Sequence, residues 1–477
     1  MRTTRTSMYK IKFLLPALAL CCISVRAQQK WTLEACREKA WQNNKAIAVA
    51  EKTEEKAGYE SNGYRANFFP RISVSGAYIY TTARMSKSVE GNYLPTFVPD
   101  PATGQLKPNL LTKPDGTPVI GADGKPVFGQ YAYFPGMKFD LGLDGTYFAG
   151  IRAEQPVFMG GKIVSAYKMS LVGKDIARLN RRLVRSEIIV ETDEAYWLHL
   201  KAVESRKVAV AFREVANELL RNVEDACKAG MKTKNDVLKV RIQVNRAELQ
   251  LQQAENAIRL SRMNLCRIMG LPLVSEIELA ESLDENHAEI SRTTDFTARP
   301  EYSILEKQIE LKNQQVKLVR SDFLPNVGIT ANYGYMQGFQ LNGTPLVDKT
   351  SFSALLSVRI PVFHWGEGLN KIRAAKTDKQ IMQLQRDDLN EKMELELRQA
   401  LDKYEESELE IALTARALEQ AEENMKTSRN HYEAGMETLA DYLEAQTLWQ
   451  QAWLEMIDAR INRRLHETYY RKAAGGL

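Results

Sequence analysis

Near the C-terminus the chain reads HYEAGMETLADYLEAQTLWQQ, from His431 to Gln451, and CKAGMKTKNDVLKVRIQVNR, from Cys227 to Arg246, breaks in the same way. Both sides of each break have the composition of long helix. Gly230 and Gly435 suit the left-handed position after a helix end, where glycine avoids a steric penalty. Three residues later Thr233 and Thr438 suit an N-cap, and Asp236 and Asp441 fall at N3, the place of a capping-box carboxylate. Each break therefore reads as the tip of an antiparallel helical hairpin, at 229–233 and at 434–438.

The doubling extends outward from these tips. NFFPRISVSGAYIY (Asn67–Tyr80) matches DFLPNVGITANYGY (Asp322–Tyr335), QPVF (Gln155–Phe158) matches IPVF (Ile360–Phe363), and AGMKT matches AGMET. Pro70 and Pro325 are 255 apart, whereas Pro156 and Pro361, like Gly230 and Gly435, are 205 apart. The chain is thus one unit written twice, a first repeat over 28–275 and a second over 276–477. The first copy holds about 50 extra residues, counted from those offsets. They fall at about 88–136, where eight of the 16 prolines lie between Gly91 and Gly136. PDGTPV and ADGKPV in tandem forbid helix and suit turns or a short hairpin. The segment reads as a long surface loop between two strands.

The segments around that loop alternate. Strands are expected over about 68–82, 139–156, 324–337 and 351–363. Val327, Ile329, Ala331, Tyr333 and Tyr335 share one face; Phe352, Ala354, Leu356, Val358 and Ile360 share another. In the first copy Leu141, Leu143, Tyr147, Ala149 and Ile151 oppose Asp144, Thr146, Arg152 and Glu154. One apolar and one polar face fits strands of a water-filled barrel in lipid, although a half-buried soluble hairpin alternates equally well. The rest is helical in pattern. Lys162 to Ala229 and Gly366 to Ala434 carry no proline. At ~1.5 Å per residue each makes a helix of about 100 Å, a length that demands a coiled-coil or helical-tube setting.

The N-terminus tips the balance towards a membrane. Residues 1–27 carry five basic side chains and no acid, followed by FLLPALALCCIS and a Val25-Arg26-Ala27 site, the pattern of a secretory leader. Acylation at Cys21 or Cys22 is the variant reading. Without the leader 60 basic side chains face 60 acidic ones, so no basic patch argues for nucleic acid. Cys36, Cys227 and Cys266 are too few and too scattered for a disulfide framework. No later segment has 18 consecutive apolar residues, so a membrane role would have to come from strands. There is no phosphate-binding loop, no HExxH and no GxSxG. No enzyme activity, metal or cofactor is expected.

Four strands per chain cannot close a membrane barrel, and an open sheet edge in lipid is not allowed. Chains must pool strands, as a dimer with eight or a trimer with twelve. Here the chain resembles the TolC family of outer-membrane efflux ducts, over essentially its whole mature length. WTLEACREKAWQNN (Trp31–Asn44), the doubled strand and PVF elements, the AG-x-x-T turns and CRIMGLPL (Cys266–Leu273) carry the resemblance by their order and doubling. It implies a mixed α/β fold: a homotrimer with a 12-stranded β-barrel in outer-membrane lipid, continued by a long α-helical coiled-coil periplasmic tube. It also implies a passive efflux or secretion channel serving a periplasmic adaptor and an inner-membrane pump of RND or ABC type.

By resemblance, Asp441 and Glu444 match two carboxylate rings of a periplasmic gate, which would favour cations and bind multivalent ones. Tyr432, Arg460 and Asp236 match residues of its constraining links. Glu437 departs from the pattern, because the family's reference member has arginine there. Gly230, Met231, Thr233, Gly435, Met436 and Thr438 match the hairpin tips that meet the adaptor. Independently of the family, the first turn is basic (Lys228, Lys232, Lys234) and the second acidic (Glu433, Glu437). If hairpins alternate around a ring, these charges meet at every seam and help keep the mouth shut. Aromatic residues at the strand–helix joints (Phe68, Phe69, Phe158, Phe323, Phe363, Trp365), with Tyr78, Tyr80, Tyr333 and Tyr335 further along, read as interface girdles. The rival class is a periplasmic coiled-coil adaptor or scaffold without a barrel.

Overall fold

The structure is a computed structural model that describes residues 30–143, 145–283, 292–293 and 295–477. The leader with Cys21 and Cys22, and Asp144, lie outside the described residues. The chain divides into two compact units, one built from residues up to 54, 176–306 and 385–477, the other from 55–175 and 307–384.

The first unit is helical. It holds α1 (Leu33–Asn43), α4 (Lys234–Ile268), α7 (Leu439–Ala473) and most of two helices of 67 residues each, α3 (Lys162–Lys228) and α6 (Glu367–Glu433). Thr32 caps α1, its side chain accepting from the Ala35 N–H. The largest core gathers Cys36 and Ala40 of α1, Tyr196 of α3 and Leu265, Cys266 and Ile268 of α4, all wholly buried. Burial pushes the Cys36 thiol up to about 12, so this cysteine packs as a small hydrophobe. A buried carboxylate crosses the same core. Asp193 is wholly buried, yet Arg37 donates to it at 2.7 and 2.5 Å and Thr468 at 2.6 Å. That network ties α1, α3 and α7 together and satisfies a charge that would otherwise be costly to bury.

The second unit is a sheet flanked by helix. It includes most of α2 (Lys45–Ala66) and α5 (Pro300–Ser321). Four antiparallel strands run β1 (Arg71–Ile79), β8 (Thr146–Met159), β9 (Asn326–Leu341), β10 (Thr344–Arg359). Each repeat contributes one hairpin, and β8 pairs with β9 across the repeat boundary. β9 and β10 are closed by Asn342 and Gly343 alone, both at positive φ (51° and 84°), the two-residue turn whose twist matches antiparallel strands. The ladder therefore starts at Thr344, seven residues before the expected strand, and ends at Arg359 ahead of Pro361, which has no N–H to donate. One apolar band lies open to the outside, with Ile72, Val74, Tyr78, Ile151, Leu356 and Val358 each at least half exposed. On the opposite face Arg152 Nε donates to Asn332 Oδ1 at 2.9 Å.

Two expectations are corrected here. The strand expected over 139–156 is two strands, β7 (Met137–Gly142) and β8, laid end to end along β9. Gly145 at φ 70° breaks the chain between them, and Leu143 falls outside both strands. The proline-rich insert is also not a loose loop. β2 (Arg84–Val89) pairs with β7, β3 (Asn92–Pro95) with β6 (Tyr131–Phe134), and β4 (Phe97–Pro99) with β5 (Leu106–Pro108), as nested ribbons. Pro95, Pro99 and Pro108 sit at the ends of these short strands, where a missing N–H is tolerated.

Candidate functional site: the hairpin tips

Both helical hairpins turn as expected. Gly230 and Gly435 sit at φ 77° and 74°. Met231 N–H donates to Ala226 O at 2.9 Å and Met436 N–H to His431 O at 2.8 Å, closing the six-residue loop that ends a helix at a left-handed residue. Two capping boxes then start the next helices. The Thr233 N–H and hydroxyl donate to Asp236 Oδ2 at 3.1 and 2.8 Å, and those of Thr438 donate to Asp441 Oδ2 at 3.2 and 2.6 Å. These bonds hold the Asp236 carboxyl below the usual carboxylate range. Met231 and Met436 project from the two turns, each 72% exposed.

The tips of both hairpins share one apolar cluster: Leu219 and Val223 of α3, Val240 of α4, Tyr432 of α6, Leu439 and Tyr442 of α7. Tyr432 and Tyr442 stack at 5.5 Å. The Tyr432 hydroxyl is buried with no hydrogen-bond partner among the described residues, and Lys232 lies over the ring, its Nζ 4.5 Å from the centroid. Burial, then the nearby Asp236 carboxylate, pushes the Tyr432 phenol up. Beside it Arg429 bridges two acids, donating to Glu218 at 2.6 Å and Glu433 at 3.1 Å. Lys232, Arg429, Glu218, Met231 and the two tyrosines line a cleft of about 270 Å³.

The structure brings most of the sequence-derived residues together, but not all. Tyr432, Asp236 and Lys232 meet within this cluster. Asp441 and Glu444 lie one turn apart at exposed positions of α7, on either side of the buried Tyr442. Arg460 is half-buried on the same helix, 19 residues or ~28 Å beyond Asp441, and so is not part of the tip group. The charges pair differently from the expected basic-to-acidic seam. Among the described residues neither Glu433 nor Glu437 pairs with Lys232 or Lys234. Glu433 takes Arg429, Glu437 accepts from Ser428 Oγ at 2.9 Å, and Lys228 pairs with Asp225 at 2.8 Å. Beside the tips the cross-hairpin ion pair has the opposite polarity, acidic Glu218 on the first hairpin and basic Arg429 on the second, whereas Lys201 and Asp458 further along the helices pair basic to acidic. Sequence reasoning missed both residues. The four-residue spacing of Arg429 and Glu433 was visible, but nothing local links Arg429 to Glu218, 211 positions away.

Among the described residues no cluster of His, Cys, Asp and Glu could hold a metal, and no helix is long and apolar enough to cross a membrane. An antiparallel sheet with an exposed apolar band and a polar opposite face, on a chain with two capped helical hairpins, defines the class: a duplicated strand-and-hairpin protein. The chain belongs to the outer membrane efflux protein family, whose profile matches residues 140–271 and 298–476, and it is an outer-membrane channel. It is 24% identical over 328 residues to the alkaline protease secretion protein AprF of Pseudomonas aeruginosa, a match spanning 66% of each chain. With the pyoverdine export outer membrane protein OpmQ of Pseudomonas putida it shares 22% identity over 349 residues, 69% of this chain and 71% of that one. Its fold is similar to the CmeC outer membrane channel of Campylobacter jejuni, with a TM-score of 0.70 at 18% identity over 93% of this chain and 85% of that one.

Proposed function

We propose that the chain works as a homotrimer, a passive duct in the outer membrane through which a tripartite efflux or secretion system delivers its cargo. The observation that carries this reading is the sheet. Its outer face is apolar and exposed, and its strands are too few to close a barrel within one chain. In this reading the tip residues Gly230, Met231, Thr233, Gly435, Met436 and Thr438 meet a periplasmic adaptor, and an RND or ABC pump in the inner membrane supplies the energy. Asp441 and Glu444 then ring the periplasmic mouth and set a preference for cations. One similar protein is named for protease secretion and the other for pyoverdine export, which leaves small-molecule and protein cargo both open.

Fractionation and conductance test the reading together. The protein should be recovered with outer membranes and should conduct ions in a planar bilayer, with block by a multivalent cation such as hexaamminecobalt(III). Recovery in the soluble periplasmic extract would return the rival reading, an adaptor or scaffold.

A further inference from the structure

The four strands β1, β8, β9 and β10 hold six charged side chains: Arg71, Arg152, Glu154, Asp348, Lys349 and Arg359. The strand register tells which way each one faces. Arg71 lies opposite Glu154, Glu154 opposite Thr330, and Arg152 opposite Asn332. Lys349 lies opposite Met336, which in turn pairs with Phe148, and Arg359 lies opposite Asn326. All these positions alternate in step with Arg152, so they stand on the polar face. Asp348 lies opposite Gln337 and therefore on the other face, that of the apolar band, where it accepts from the Tyr335 hydroxyl. The polar face thus carries four cations, Arg71, Arg152, Lys349 and Arg359, against the single acid Glu154. Without its leader the chain as a whole has as many acids as cations, so this face departs from the rest.

The repeat shows that strand pairing does not account for this excess. In the first copy the charges offset one another: Arg71 lies opposite Glu154, and Arg152 pairs with Glu154 at 3.6 Å. The shift of 205 carries Glu154 onto Arg359, whose cross-strand partner is the neutral Asn326. The acid of the first hairpin is a cation in the second. Lys349 and Arg359 are exposed and make no ion pair among the described residues. Projected on β9, the four cations fall level with Asn326 (Arg359), Thr330 (Arg71), Asn332 (Arg152) and Met336 (Lys349). That ladder spans about 33 Å at ~3.3 Å per residue. Neutral hydroxyls stand between its steps, with Ser357 opposite Gly328 and Ser353 opposite Asn332.

We propose that this face makes the barrel an anion path, and that the cargo of the duct is a small organic anion, of the kind that a polycarboxylate represents. This rests on the proposed duct and adds the class of its cargo. In a barrel in lipid the polar face lines the water-filled interior, and each cation recurs once per copy. Lining arginines and lysines favour anions, and a low-dielectric wall around them focuses the field inside. Separate stations along the strands, with neutral hydrogen-bonding groups between them, suit passage rather than retention, because no one station encloses the solute. Asp441 and Glu444 at the hairpin tips act in the opposite sense and in series with the barrel. The preference of the barrel itself therefore shows once those carboxylates are neutralised.

Reversal potentials of the full-length protein in a planar bilayer, under a potassium chloride gradient, test the proposal. With Asp441→Asn and Glu444→Gln in place, chloride should permeate about twofold better than potassium, or more, at about 0.05 M salt, and the preference should fade towards 1 M, where the screening length is about 3 Å. Adding Lys349→Gln and Arg359→Gln, which break no ion pair of the sheet, should lower the preference for chloride. Adding Arg71→Gln and Arg152→Gln as well should reverse it, since Glu154 is then the one charge left on the face. Citrate is the probe for the cargo class: it should interrupt the current in a dose-dependent way, and the interruptions should vanish in the variant without the four cations. A preference for potassium in the tip-neutral protein, a ratio that ignores the loss of Lys349 and Arg359, or citrate interruptions that outlast all four cations would overturn the inference and leave a duct of another selectivity. No conductance from the unaltered protein would overturn the duct reading and the inference with it.

Discussion

Lys232, at the turn of the first hairpin, holds its ammonium 4.5 Å from the ring centroid of Tyr432, in the last turn of the helix leading into the second. With Arg429 on Glu218 this makes two polar ties between the hairpins beside their tips. A cation–π contact contributes about 0.5–1 kcal/mol at exposed sites and an exposed ion pair about 0–1 kcal/mol. Such ties are too weak to hold the fold and strong enough to bias two states of similar energy. Replacing both cations, by Lys232→Met with Arg429→Met, should raise conductance in a planar bilayer while leaving the melting temperature within a few degrees. Unchanged conductance at low salt would mean that these ties do not restrain the mouth.

The Asp441 carboxylate both caps a helix and is proposed to face the pore, and the two roles can be separated. Thr438→Ala removes half of the capping box and should cost about 1 kcal/mol of stability without affecting block by hexaamminecobalt(III). Asp441→Asn with Glu444→Gln keeps side chains able to accept a hydrogen bond but removes the charge. That pair should abolish the block, measured as current against cation concentration. If block survives in the charge-free variant, the carboxylates are caps and surface residues only.

Removing the buried carboxylate of the Arg37–Asp193–Thr468 network should be far more damaging than removing any tip charge. Asp193→Ala leaves a mostly buried guanidinium with only the exposed Glu34 as its acidic partner, a change worth up to roughly 3–5 kcal/mol. Thr468→Val removes one neutral donor and should cost about 1 kcal/mol. Thermal inactivation rates of the two variants give the ranking, and comparable rates would mean that Glu34 and water suffice for Arg37.

Stability should fall in mild acid because of His199. Its ring is buried and shares a 2.9 Å hydrogen bond through Nδ1 with Ser261 Oγ, and burial pushes its pKa down to about 4. Above about pH 6.5, the ordinary histidine value, the ring is neutral folded or unfolded and exerts no pH effect. As pH falls from there towards 4 the unfolded chain takes up a proton that the folded chain does not, so stability drops, by up to roughly 3 kcal/mol, and levels off below. His199→Gln should flatten that part of the profile. An equal slope between pH 6.5 and 4.5 in both proteins would assign the effect to other groups.

Local chemistry left clear marks in this chain, and non-local contacts left none. The helix ends at Gly230 and Gly435 and the capping boxes at Thr233–Asp236 and Thr438–Asp441 were readable because backbone sterics and a three-residue reach decide them. The repeat offsets of 255 and 205 carry the register of one hairpin onto the other for a similar reason, since a period-two pattern with one apolar face tolerates no slip. The Asn342-Gly343 turn was equally local and was overlooked.

What tertiary structure alone decided is who stands opposite whom across long separations. Glu218 meets Arg429, Asp193 meets Arg37 and Thr468, and Phe148 of the first repeat pairs with Met336 of the second. A charge in sequence does not name its partner, because many candidates lie at similar cost until the helices pack and the dielectric around each pair is set. Lysines and glutamates counted along the turns therefore did not reveal the Arg429–Glu218 tie. By itself the sequence determined a duplicated strand-and-hairpin chain with capped tips. The folded chain decided which charges tie the hairpins, and which strand edges stay unpaired among the described residues, because those depend on distances that close only after packing.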